Sequence, residues 1–149
     1  MDSRPETQKH IDHVRGLLRE AALALKERAE GHDRSKLESP EVEVFDEVTP
    51  KLHGLTYGSP EYKQALKEMS PALEHHYGEN RHHPEHFKGG VSGMNLIDLL
   101  EALCDWKAAT LRHKDGSIVT SLKHNAERFG ISDQLLAILK NTVSDLGWD

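Results

Sequence analysis

One stretch restricts the folds open to this chain more than any other. From about Met94 to His113 the side chains of Met94, Leu96, Ile97, Leu99, Leu100, Leu103, Trp106, Ala109 and Leu111 leave little polar circumference on a helix. A helix apolar on most sides belongs at the centre of its domain, with other helices around it. The same stretch carries Asp98, Glu101 and Asp105, whose spacings of three and four put them on one stripe, with Arg112 one heptad past Asp105. Two readings stay open for that stripe. It is a row of costly inward carboxylates that need a metal or a cation, or it is an exposed edge on which a carboxylate pairs with Arg112.

The rest of the chain reads as helices too. Ile11, Val14, Leu18, Ala21 and Leu25 recur at helical spacing in a first segment from about Thr7 to Ala29, which Gly31 stops. A short turn or helix follows at His32–Leu37. Ser39-Pro40-Glu41 has the form of N-cap, first-turn proline and first-turn acid, and starts a second helix that Pro50 and Gly54 close. Ser59-Pro60-Glu61 repeats the signal and starts a third, to about Tyr77. Gly78 to Gly93 reads as a loop, Ser117 to Phe129 as a helix broken by Gly130, and Ser132 caps a last helix ending near Leu146. No strand-like alternation and no internal repeat occur. The expectation is an all-α fold in a single domain over residues 1–149.

Composition narrows the function classes. The net charge of −6 argues against a dedicated nucleic-acid binder, which carries a basic patch, but leaves room for a small phosphorylated substrate in a local pocket. The one cysteine, Cys104, excludes an intramolecular disulfide, and its place on the long helix suggests a small core residue rather than a nucleophile. No apolar run reaches membrane-spanning length, and Met1-Asp2-Ser3-Arg4-Pro5-Glu6 lacks the apolar core of a secretory signal, so the expected location is the cytoplasm. There is no glycine-rich phosphate loop, G-x-S-x-G elbow or Cys-x-x-Cys pair.

Histidine is the outlier, with 11 residues, of which His75, His76, His82, His83 and His86 fall in one short stretch. His76 continues the apolar face set by Tyr62, Leu66, Met69 and Leu73, whereas His75 does not. On the first helix, at about 100° per residue, His10 lies inside the apolar arc and His13 well off it. His32-Asp33, just past the helix end, offers an imidazole and a carboxylate to a common ion. Glu85 and His86 are candidates for acid–base work or for orienting a ligand imidazole, and Glu101 for taking a proton.

The order His10, then His32-Asp33, then Asp105 resembles the H…HD…D pattern of the HD-domain metal-dependent phosphohydrolase superfamily. His10-Ile11-Asp12-His13-Val14 looks like its first-helix pattern. Leu103-Cys104-Asp105-Trp106-Lys107-Ala108-Ala109 resembles its final aspartate box, with Cys104 where alanine is usual. The resemblance spans about residues 7–113, and the whole chain also looks like a short family of unknown function from phage and bacterial genomes. It implies an HD-like helical bundle in which His10, His32, Asp33 and Asp105 hold a metal. His76 with His82 or His83 would add a second one, although the spacing is tighter than in the dinuclear branches and their Gly-Tyr-Pro signature is absent. Lys36, three positions after Asp33, matches a lysine that some phosphodiesterase branches use on substrate phosphate, and Arg81 and Arg112 are further cations for it. The expected cofactor is a divalent Mn, Fe, Co, Ni or Zn ion, one or two per chain. The expected activity is hydrolysis of a nucleotide or other small phosphoester. An HD-type dinuclear iron oxygenase and a non-catalytic metal- or nucleotide-binding protein are the alternatives.

Overall fold

The computed structural model describes residues 2–55, 59–112 and 114–149 and is all-helical, with no strand among them. The chain divides into two compact units, Met1–His32 and Asp33–Asp149.

The first unit is a single helix, α1 (Arg4–Gly31), three residues longer at its start than its apolar spacing suggests. Pro5 and Glu6 suit its first turn, where no backbone donor is needed and the dipole favours an acid. None of its residues is buried. In this unit taken by itself His10 and His13 are both exposed on the helix. One helix has no core of its own for an apolar arc to face.

The second unit holds six α-helices among its described residues: α2 (Glu41–His53), α3 (Pro60–Glu68), α4 (Ser70–Glu79), α5 (Leu96–Thr110), α6 (Ile118–Phe129) and α7 (Asp133–Asp145). Short 3-10 turns at Arg34–Leu37, Pro84–His86 and Gly90–Gly93 punctuate the connections. The expected third helix is two, α3 and α4. Pro71 lacks a backbone N–H and lies in the first turn of α4, so it restarts the helix at Ser70 rather than continuing it. In α2 the opposite happens. Pro50 lies inside the helix, which runs on to His53, because near the C-terminal end the one carbonyl it leaves unbonded is that of exposed Asp46. The start of α2 also differs, since Pro40 rather than Ser39 takes the N-cap position.

Caps fix most other ends. Ser59, Ser117 and Ser132 accept from the backbone N–H groups of Tyr62, Thr120 and Leu135. Asn95 and Asp98 form a reciprocal capping box at the start of α5. Gly130 closes α6 in the left-handed conformation, φ 63°.

Two apolar clusters organise this unit. Val48, Ala65 and Met69 join α2, α3 and the turn into α4, with Val44, Phe45, Leu52 and Leu73 around them. Leu99, Leu103, Ile118, Leu122, Leu139 and Val143 join α5, α6 and α7. As its composition requires, α5 is central to the second cluster. It ends at Thr110, however, so Arg112 lies in an exposed turn and not on the carboxylate stripe, and His113 lies outside the described residues. Cys104 is exposed rather than a core residue; burial of its sulfur and the nearby Glu101 nonetheless push the thiol pKa up, away from nucleophilic use. No helix among the described residues is long and apolar enough to cross a membrane.

Candidate metal centre

Asp33, His76, His82 and His83 each offer one ligand atom, and these atoms lie within 4.8 Å of one another. The four come from three places: the turn after residue 32, the inward face of α4, and the segment between α4 and the Pro84 turn. Asp33 and Asp105 also bring carboxylate oxygens within 4.8 Å of each other.

The route of residues 81–83 follows from α5. Asp98, Glu101 and Asp105 rise along one face of that helix, and the consecutive residues Arg81, His82 and His83 meet them in order. Arg81 donates from Nε and a terminal amine to the two oxygens of Asp98, at 3.0 and 2.9 Å. His82 Nδ1 is 3.1 Å from Glu101 Oε1. Asp105 is close enough for its charge to act on His83. The stripe is therefore the inward row, and Arg81 rather than Arg112 is its arginine.

The two buried imidazoles share one arrangement. His82 has Nδ1 at Glu101 and Nε2 3.4 Å from Asp33 Oδ1. His76 has Nδ1 2.9 Å from Glu41 Oε2, and its Nε2 is 3.3 Å from Asp33 Oδ1 and 2.9 Å from His83 Nε2. In each ring a carboxylate takes one nitrogen and the other faces the cluster. This is how ligand histidines are held in metal sites, where the outer hydrogen bond fixes tautomer and ring angle.

Charge states suit a cation as well. Burial raises the Asp33 carboxyl, but hydrogen bonds from His76, His82 and Lys36 and the charge of Lys36 outweigh it and hold the group far below the carboxylate range. Burial, together with the charges of His82 and His76, lowers His83 to about 3 against the pull of Asp105 and Asp33. It is a neutral imidazole with a lone pair to give. Asp33 also has a left-handed backbone, φ 55°, the one such non-glycine residue among those described, which costs energy and is typical of a residue held for function. One carboxylate oxygen with three imidazole nitrogens is a donor set for a first-row divalent ion, so the residues fit the metal.

The remaining candidates fall as follows. Lys36 donates from Nζ to Asp33 Oδ2 at 2.6 Å and reaches the edge of the cluster. Glu85 pairs with Arg128, 2.8 Å distant, and His86 Nδ1 donates to the Tyr77 carbonyl at 2.9 Å, so each has a partner outside the four-residue cluster. His10 and His32 belong to the first unit, His32 as the C-cap of α1. Glu41 was legible only as a first-turn acid. Nothing in a Ser-Pro-Glu signal says whether the glutamate faces inward.

Fold and cluster together define an all-helical protein with a buried histidine–carboxylate centre. The chain belongs to a family of unknown function, DUF5662, whose model matches residues 1–145. No curated protein matches it, and neither does any solved structure.

Proposed function

We propose that this protein is a metal-dependent phosphohydrolase acting on a nucleotide or another small phosphoester. The observation that carries the reading is the convergence of Asp33, His76, His82 and His83, with each buried imidazole held from behind by a carboxylate. The H…HD…D resemblance supports it from the sequence. That resemblance also names His10 and His32 as ligands; the proposal stands on residues of the second unit.

Asp33, His76, His82 and His83 would hold the ion, with Asp105 beside Asp33. Bound there, a divalent ion lowers the pKa of a water and polarises a phosphoryl oxygen. The protein's own groups do the rest. Glu101 holds His82 at the angle that turns Nε2 inward. Lys36, half-exposed beside Asp33, supplies a cation for phosphate charge and exchanges its carboxylate partner for the substrate. Arg81 is committed to Asp98 and holds residues 81–83 against α5. The cytoplasm, a reducing compartment, fits the lone cysteine.

One observation favours a second reading. Asp105, like Asp33, acts by its charge on His83, so a second carboxylate is at hand for a pair of ions, and an iron pair would suit oxygen chemistry rather than hydrolysis.

The test is turnover of nucleoside monophosphates and bis(p-nitrophenyl) phosphate by protein loaded with Mn, Co, Ni or Zn. Turnover that needs the metal and vanishes in His82→Ala and Asp33→Ala is expected. Lys36→Ala should raise KM more than it lowers kcat. Saturating metal with no turnover of any phosphoester overturns the hydrolase reading, and oxygen uptake by the iron-loaded protein decides for the second.

A further inference from the structure

Glu41 is the first residue of α2 and is completely buried, 0% exposed. Its twin in the repeated start signal, Glu61, is exposed. A carboxylate taken out of water costs several kcal/mol in order-of-magnitude terms unless its oxygens are fully bonded. Here they are. His75 Nδ1 lies 2.8 Å from Oε1 and His76 Nδ1 2.9 Å from Oε2, and the Ser35 hydroxyl also donates to the carboxylate. Burial raises the Glu41 carboxyl, yet the bonds from His75, Ser35 and His76 bring it below its ordinary range. An anion at the first turn of α2 also suits the helix dipole.

The surrounding network settles which atom carries the proton. The Asn80 amide has two N–H groups. They go to Ser35 Oγ at 2.8 Å and to the His76 carbonyl at 2.9 Å, so neither is left for His76 Nδ1, 3.1 Å away. Ser35 Oγ accepts from Asn80 and donates to Glu41, and it lies 3.3 Å from His76 Nδ1, where it is a further acceptor for the ring N–H. His76 Nδ1 therefore faces an anion and keeps its hydrogen, so Nε2 is the nitrogen turned to the cluster and the one that would give a lone pair to an ion. That nitrogen points at Asp33 and His83.

We propose that Glu41, clamped between His75 and His76, is a positioning residue of the metal centre, holding the His76 ring by Nδ1–H so that Nε2 faces Asp33 and His83 and is the nitrogen an ion would take. This rests on the metal-centre reading given above. Holding α2 against α4 does not require a buried anion, because an apolar residue of similar volume would do so without the desolvation cost. What the anion adds is direction: it fixes the ring angle and the tautomer. His75, exposed and remote from the cluster, acts through Glu41 by holding its other oxygen.

Two measurements test this. In metal-free, nitrogen-15-labelled protein, long-range proton–nitrogen correlation should show His76 with a protonated Nδ1. In Glu41→Gln, Co²⁺ should bind about tenfold to hundredfold more weakly, with an altered visible spectrum, while helicity and the metal-free melting temperature stay near wild type. Glu41→Asp should recover part of the affinity, and His75→Gln should show a smaller loss in the same direction. A His76 Nδ1 without its hydrogen in the wild type overturns the proposal even if every Glu41 variant fails to fold. Unchanged Co²⁺ affinity in a folded Glu41→Gln also overturns it and leaves the metal centre standing. Wild-type protein that takes up no Co²⁺ ends the metal-centre reading itself.

Discussion

His83 shows how much of the site's character is set by neighbours rather than by residue type. Burial among His82 and His76 lowers it to about 3, so in the folded state it stays neutral where a free imidazole would charge. A base whose folded pKa is depressed contributes stability that is present above its unfolded value of 6.5 and is lost as pH falls towards 3. Asp33 and Glu41 have depressed carboxyls, so their contributions are present above the ordinary values of 3.8 and 4.5 and are lost at still lower pH. The metal-free protein should therefore lose melting temperature progressively as pH drops below about 6.5. His83→Gln should flatten the part of the curve between about pH 6.5 and 4.5, and a melting temperature that rises on acidification would contradict the assignment. At this scale the sequence was partly legible. Helical spacing separates His76 from His75, and the clustering of histidines marks His82 and His83. Glu41 and Glu61 are indistinguishable in the sequence, since each follows Ser-Pro, and only packing against α4 buries one of them.

Among the elements, α5 does most to build the site. Its apolar face joins α6 and α7, and its carboxylate face lines up Arg81, His82 and His83. That the helix has these two faces is readable from spacing alone, whereas spacing leaves open whether the carboxylate face looks inward or to solvent. Its end is not readable, because leucine and arginine at 111 and 112 continue the pattern while the chain has already turned. The break between α3 and α4 was signalled by Pro71 and obscured by the continuous apolar face from Tyr62 to His76. Two glycines bound α6. Gly130 has open space around its α-carbon, so Gly130→Ala should cost about 1 kcal/mol through its positive φ alone. At Gly116 an added Cβ would run into the Thr110 carbonyl at the end of α5, so Gly116→Ala should cost more than Gly130→Ala. Denaturant midpoints of the two variants measure the difference, and equal midpoints would mean that the α5–α6 turn yields to the methyl group.

In the molecule as a whole, the cluster draws on both apolar groups of the second unit. His76 comes from the α2–α4 side, Glu101 and Asp105 from α5, and Asp33 reaches both. A metal there ties the two halves together. An ion that binds only the folded chain, present at a hundred times its dissociation constant, stabilises by about 2.7 kcal/mol, which for a chain of this size raises the melting temperature by roughly 5–10 °C. Chelation should reverse the shift, and His82→Ala should abolish it. The all-helical class was plain in the sequence because start and stop signals recur and no alternation competes with them. The division after His32 was not, because α1 has the same amphipathic spacing as the helices that do build a core. The most direct test of the central claim is metal content per chain, by elemental analysis of untagged protein and of its His82→Ala and Asp33→Ala variants. One or two first-row divalent ions per wild-type chain, lost in both variants, is the predicted result. No bound metal even after reconstitution, or equal occupancy in all three proteins, would contradict it.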